Sequence, residues 1–225
     1  MNVVIFGATG MVGSGVLIEC LEDPRVRSVL VIGRRPVGRT APKMREILVE
    51  DFLDFTPLQS EFASCDACFF CLGVSSIGMT EERYRHLTYD ITMAAATAMS
   101  AGNPHMTFCY VTGTGTDSTA KGARMWARVK GETENAILRL PFKAAYMFRP
   151  GFILPLKGVR SKTAVYQAII TVLAPLYPLL RRLAPLHMTT TVNVGRAMIA
   201  VALDGYNRPI LESADIEQLA RERSR

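Results

Sequence analysis

Histidine is scarce here, with three in 225 residues, and tryptophan occurs once, at position 126. Repeats, low-complexity tracts and long linkers are missing, which argues against solenoid, fibrous and disordered architectures. The first residues show no charged leader, cleavage site or transit-peptide bias, and strand-like apolar residues begin at Val3. A cytosolic location is therefore expected. No zinc-finger, recognition-helix or RNA-binding signature accompanies the net charge of +6, so nucleic acid is not expected as a partner. The positive excess still favours anions such as nucleotides.

Cysteine is limited to five residues, an odd count that suits free thiols rather than a disulfide framework. Three fall in CDACFFC, at Cys65, Cys68 and Cys71. A zinc site wants four ligands on turns, and no histidine is near in sequence. The segment reads as a strand, on which a spacing of three turns neighbouring cysteines to opposite faces. Buried, small apolar thiols are expected, and no metal.

What is present is ample apolar material, 49% of residues, enough for one sizeable core. Strands alternate with helices. NVVIFG, SVLVIG, EILVE, ACFFCLG, MTFCYVT and KAAYMFRP read as six strands, at Asn2–Gly7, Ser28–Gly33, Glu46–Glu50, Ala67–Gly73, Met106–Thr112 and Lys143–Pro150. A helix is expected over Met11–Leu21 and a long one from Thr80, its candidate N-cap, to about Ser100. Another holds Trp126 and Lys130. A helix near Val192–Leu203 and a short strand near Pro209–Glu212 close the pattern. Unbroken apolar strands between helices predict an α/β fold, a doubly wound parallel sheet of Rossmann type in a single domain spanning 1–225. Residues 152–190 read as a small helical appendage over the sheet's C-terminal edge.

The sharpest motif is GATGMVG, with Gly7, Gly10 and Gly13 directly after the first strand. Gly7 permits the tight turn, Gly10 lets a pyrophosphate approach the backbone, and Gly13 lets helix and strand pack closely. The spacing is three and three, unlike the G-x-G-x-x-G of many dehydrogenases. The second strand ends in Arg34-Arg35. An NAD-selective site would place an acidic residue there, whereas arginine forks suit a 2′-phosphate, so NADP (as NADPH) is expected over NAD. Asp51 and Phe52 follow the third strand and can serve the adenine.

In this order GATGMVG, VIGRRP, EDFLDF, CFFCLG and VKGETE resemble the atypical short-chain dehydrogenase/reductases, most nearly the Tat-interacting-protein-like oxidoreductases, over roughly residues 2–151. The resemblance implies that Thr9, Gly10, Met11 and Val12 line the pyrophosphate. It places Arg34 and Arg35 at the 2′-phosphate and Asp51 and Phe52 near adenine. Leu72, Gly73 and Val74 would pass beneath the adenosine ribose and nicotinamide. Lys130 would bond the nicotinamide ribose, and Pro150 to Ile153 would flank the amide. Thr112 stands where the family often carries a serine. The departure is Trp126: carbonyl reductases of the family use a tyrosine four residues before the lysine, and indole does not titrate near neutrality. Tyr84, Tyr89, Tyr146, Tyr166 and His187 are substitute acids to consider, and Asp117 is either a site residue or a helix cap.

The expected function is NADP(H)-dependent hydride transfer to an apolar small molecule, planar ones included. A non-catalytic NADP(H) sensor that binds a partner is the alternative, and epimerase or dehydratase chemistry a weaker one. The most hydrophobic run, Thr163–Leu180, is followed by Arg181-Arg182. It is too short for a spanning helix of about 20 residues and holds two prolines. A lid, a homo-oligomer interface, a peripheral membrane helix and a packed hairpin all stay open for 163–182.

Overall fold

The first strand of the chain lies in the interior of the sheet. β1 (Asn2–Phe6) is a β-branched run buried from Val3 to Phe6, and it pairs in parallel with both β2 (Ser28–Gly33) and β4 (Ala67–Phe70). A strand with neighbours on both sides and helices above and below must be apolar at every position, which is why no alternation is visible in its sequence. The computed structural model describes residues 1–159 and 188–222. The apolar run at 163–182 lies outside the described residues.

β3 (Met44–Leu48), β5 (Thr107–Val111), β6 (Ala144–Arg149) and β9 (Ile210–Glu212) complete a seven-stranded parallel sheet in the order β3-β2-β1-β4-β5-β6-β9. This is the doubly wound order, with its switch point between β1 and β4. One face is covered by α1 (Met11–Glu22), α6 (Thr191–Asp204) and α7 (Ser213–Glu222), which meet Val3 and Ile5. The other is covered by α2 (Gln59–Phe62), α4 (Ile91–Gly102) and α5 (Met125–Ile137), which meet Val4 and Phe6. On that face Phe6 stacks on Phe70 at 5.0 Å, and Phe70 on Phe108 at 5.9 Å, an aromatic ladder across β1, β4 and β5.

Four details depart from the sequence reading. β3 begins two residues earlier than expected, because its pairing with β2 starts at Met44 opposite Val29. The helix expected from Thr80 is interrupted. Thr80 caps α3 (Glu81–Arg85) by accepting from the Arg83 N–H, and a π-helical turn (His86–Asp90) then separates α3 from α4. The described parts of 152–190 include β7 (Phe152–Leu154) and β8 (Met188–Thr190), a two-stranded parallel ladder rather than helix. Finally, α7 follows β9 directly, where the sequence reading ended.

Candidate dinucleotide site

The turn between β1 and α1 is made by its glycines. Gly7 has φ +77°, and a Cβ there would lie 2.6 Å from the Leu72 backbone nitrogen. A Cβ on Gly13 would lie 2.2 Å from the Gly7 carbonyl oxygen. Both positions are closed to any side chain, which draws the first turn of α1 tight against the end of β1. Gly10 is the N-cap residue and supplies no side-chain hydrogen bond, and the first turn holds no acidic residue. Gly10 N–H bonds the Gly7 carbonyl at 2.8 Å, and the Ser14 N–H bonds the Gly10 carbonyl at 2.9 Å. The amides of Met11, Val12 and Gly13 lie between these and gain no capping group from the helix itself. They form an anion-binding helix end, strengthened by the dipole of a 12-residue helix.

A cleft opens on each side of this turn. One, of about 330 Å³, is lined by Gly7, Thr9, Arg34, Arg35, Phe52 and Leu72 among others. The Arg34 guanidinium lies 5.7 Å from the Phe52 ring centroid, a cation–π contact that presents a planar charged face. Asp51 stands apart from this lining. It is exposed and accepts from the Leu53 N–H at 2.8 Å, so one of its oxygens closes a turn. The second cleft, of about 520 Å³, carries Gly10, Met11, Val12, Leu72, Gly73, Val74, Thr112, Lys130, Pro150 and Ile153 on its walls. The fold thus brings the expected residues together in two halves that meet at Leu72. Gly13 serves packing rather than lining.

Lys130 projects from α5 into the second cleft, where its Nζ donates to the Thr112 carbonyl at 2.8 Å. Burial pushes its pKa down to about 8, partly opposed by the attraction of Glu134 one helical turn on. The Thr112 hydroxyl makes a different contact: it donates to Glu134 at 2.6 Å. Glu134 in turn takes a forked contact from Arg149, which also donates to Ser118 Oγ at 2.6 Å. Both ions are buried, Glu134 to 1% and Arg149 to 8% exposure. The last glutamate of VKGETE and the arginine before Pro150 therefore form one buried pair beneath the cleft. Sequence reasoning passed over that pair. The signal was there in an acidic residue four positions after Lys130, on the same helix face.

Trp126 lies one helical turn before Lys130 and outside the cleft lining. Its ring flanks Gly115, where an added Cβ would meet Cη2 at 3.7 Å. Asp117 is neither a site residue nor a helix cap. Its carboxylate accepts from the Thr119 hydroxyl at 2.7 Å and from the backbone N–H groups of Gly122, Thr119 and Lys121, which together hold its pKa down to about 2, and it shapes the loop ahead of α5. The alternative acids sit elsewhere. Tyr84 is buried in the helix layer, Tyr89 stacks under Arg85 at 4.4 Å, and Tyr146 bonds the Tyr206 backbone. Tyr166 and His187 lie outside the described residues. Cys68 and Cys71 face opposite sides of the sheet, and burial pushes the Cys71 thiol up to about 12. Among the described residues no cluster could hold a metal, and no helix is long and apolar enough to cross a membrane.

The fold is that of the short-chain dehydrogenase and nucleotide-sugar epimerase structures. WbmF of Bordetella bronchiseptica, solved with NAD+, superposes with a TM-score of 0.66 at 15% identity, over 98% of this chain and 77% of that one. A UDP-N-acetylglucosamine 4-epimerase from Methanobrevibacter ruminantium gives 0.68 at 15% identity, over 92% and 74%. A short chain dehydrogenase family protein of Francisella tularensis gives 0.63 at 14% identity, over 91% of each chain. No protein-family model matches the chain. Among curated sequences it is similar to the mitochondrial protein FMP52 of Eremothecium gossypii, at 27% identity over 99% of this chain and 98% of that protein. It is also similar to fmp52 of Emericella nidulans, at 29% identity over 75% and 72%. These relatives are named mitochondrial, which overturns the cytosolic expectation. That expectation rested on the composition of the first residues alone.

Proposed function

We propose that this chain binds a nicotinamide dinucleotide across the two clefts, prefers NADP(H), and is a mitochondrial oxidoreductase acting on an apolar small molecule. The likeness to the atypical short-chain dehydrogenases, and to the Tat-interacting-protein-like oxidoreductases among them, enters the same reading. One observation carries it. An uncapped helix end lies between a cleft walled by two arginines and a cleft walled by a desolvated lysine. The diphosphate would lie on the amides of residues 11 to 13, the adenosine half beside Phe52, Arg34 and Arg35, and the nicotinamide half beside Lys130, Pro150 and Ile153. Neither Arg34 nor Arg35 has a carboxylate partner among the described residues, so both forks are available to a 2′-phosphate. When bound, the nicotinamide supplies or accepts hydride. The chain's own part is to hold the ring over β4 and β5, keep water out with Val74, Val111 and Ile153, and position a proton at Lys130.

Calorimetric titration with NADPH and NADH tests the binding, and a panel of flavins, quinones, dyes and aldehydes tests turnover. Tighter binding of NADPH with turnover on part of the panel is expected. No heat with either coenzyme, from folded protein, sinks the reading. Tight binding with no turnover would favour the sensor reading, whose support is the lack of tyrosine, histidine or carboxylate in the second cleft's lining among the described residues.

A further inference from the structure

We infer that Lys130 itself donates the proton in carbonyl reduction at this cleft, the task a phenol would perform from the position of Trp126. The inference rests on the dinucleotide reading above and names the acid that reading leaves open.

Among the described residues, Lys130 and Cys71 carry the only titratable side chains on the walls of the second cleft. The Cys71 thiol is pushed up to about 12 by burial and holds its proton too tightly to serve. Two of the three hydroxyls on the same walls already donate elsewhere, and none of the three titrates near neutrality. Thr112 donates to Glu134, Thr114 donates to the Arg149 carbonyl at 3.1 Å, and Ser75 accepts from the Ile77 N–H at 3.3 Å. Tyr110, two residues before Thr112, is buried at 1% exposure and its phenol is raised by desolvation. Lys130 has three N–H bonds and uses one on Thr112, so two remain for the cleft.

The charges around it favour this task. Glu134 faces it from its own helix, but Arg149 on β6 occupies that carboxylate, and Glu212 on β9 stands 3.7 Å from the same arginine. Cys71 at the end of β4 is neutral. The ammonium is therefore weakly compensated, and with a pKa near 8 it is charged at neutrality yet gives up its proton more readily than an ordinary lysine. In the step itself the carbonyl carbon gains a hydride from the reduced nicotinamide and the carbonyl oxygen gains a proton from Lys130. The products are an alcohol, the oxidised nicotinamide and a neutral amine, which recovers its proton from water.

The test has two readouts on the full chain. Acetic anhydride labelling of nucleotide-free protein at graded pH, read by mass spectrometry, reports when each amine becomes neutral. Lys130 should reach half-maximal reactivity near pH 8, well below the range of an ordinary lysine side chain. Single-turnover reduction of 4-nitrobenzaldehyde by NADPH should then slow above that pH. Lys130→Arg should remove the decline below pH ~12, since a guanidinium stays charged to pH ~12 or above. Lys130→Met, assayed at saturating NADPH because the change also removes a contact to the coenzyme, should lower the rate at least ~100-fold with a flat profile. The inference fails if Lys130 labels only in the range of an ordinary lysine, if the wild-type profile is flat, or if Lys130→Met reduces the aldehyde normally. Oxidation of NADPH by quinones but by no carbonyl would overturn it and leave the oxidoreductase reading standing. Absence of NADPH binding would remove both.

Discussion

Substituting Gly131 by alanine sets two known effects against each other at one carbon atom. In an exposed helix interior the change would stabilise by about 1 kcal/mol through helix propensity. Here an added Cβ would lie 1.7 Å from the Asp117 carbonyl oxygen and 2.5 Å from its carbon, both backbone atoms. An ordinary contact needs about 3.3 Å, so α5 and the loop carrying Asp117 must separate by roughly 1.5 Å. That loop cannot yield cheaply. Asp117 N–H bonds the Ala127 carbonyl at 3.1 Å, Asn135 donates to the Ser118 carbonyl at 2.9 Å, and Ser118 Oγ is held by Arg149. Overpacking of this kind typically costs 1–3 kcal/mol, and the loss of one or two hydrogen bonds adds about 1 kcal/mol each. After the propensity gain, a net loss of roughly 1–4 kcal/mol is expected. Urea unfolding followed by circular dichroism measures it. A variant as stable as wild type, or more so, would show that the loop does not rest on this helix and would undo the account of how Lys130 is placed.

Arg149→Met should destabilise by roughly 3–5 kcal/mol, because it strands the buried Glu134 carboxylate. Pairing it with Glu134→Leu should recover much of the loss in the same unfolding assay. Lys130→Met should remove a pH dependence. The unfolded lysine keeps its proton up to its usual pKa of about 10.4, whereas the folded one releases it near 8. Between those values the unfolded chain binds more protons, so wild-type stability should rise with pH by up to about 3 kcal/mol, and the variant's should not. The double variant Arg34→Ala/Arg35→Ala should weaken NADPH binding roughly ten- to a hundredfold per arginine while leaving NADH nearly unchanged, as read by calorimetry. Equal losses for both coenzymes would refute the assignment of those forks to a 2′-phosphate.

The central strands and the glycine turn were legible because their physics is local. Val3 to Phe6 must be apolar to sit in mid-sheet, and Gly7 must adopt a positive φ. The edge was harder. β3 has only one strand neighbour and carries Arg45 and Glu46 in mid-strand, so its register is set by β2 and not by its own pattern. The π turn at His86–Asp90 adds a residue to a helical pattern that otherwise reads as continuous. α7 was missed although Ile216, Leu219 and Ala220 mark one buried face, because a strand of three residues left no room to expect a helix immediately after it. At the site, lining residues near the glycine turn could be read from motifs. The pairing of Glu134 with Arg149 joins residues on α5 and β6, and only the folded chain shows that Thr112 turns its hydroxyl to that pair while its carbonyl holds Lys130.

The two clefts share a single lining side chain, Leu72, on either side of the α1 amides. A ligand long enough to fill both is in effect two fragments joined by a linker, and the protein treats them as such. Adenosine 2′,5′-bisphosphate should seat in one compartment and leave the other vacant for a nicotinamide mimic. Tethering the two would multiply their affinities through effective concentration and not through any new contact.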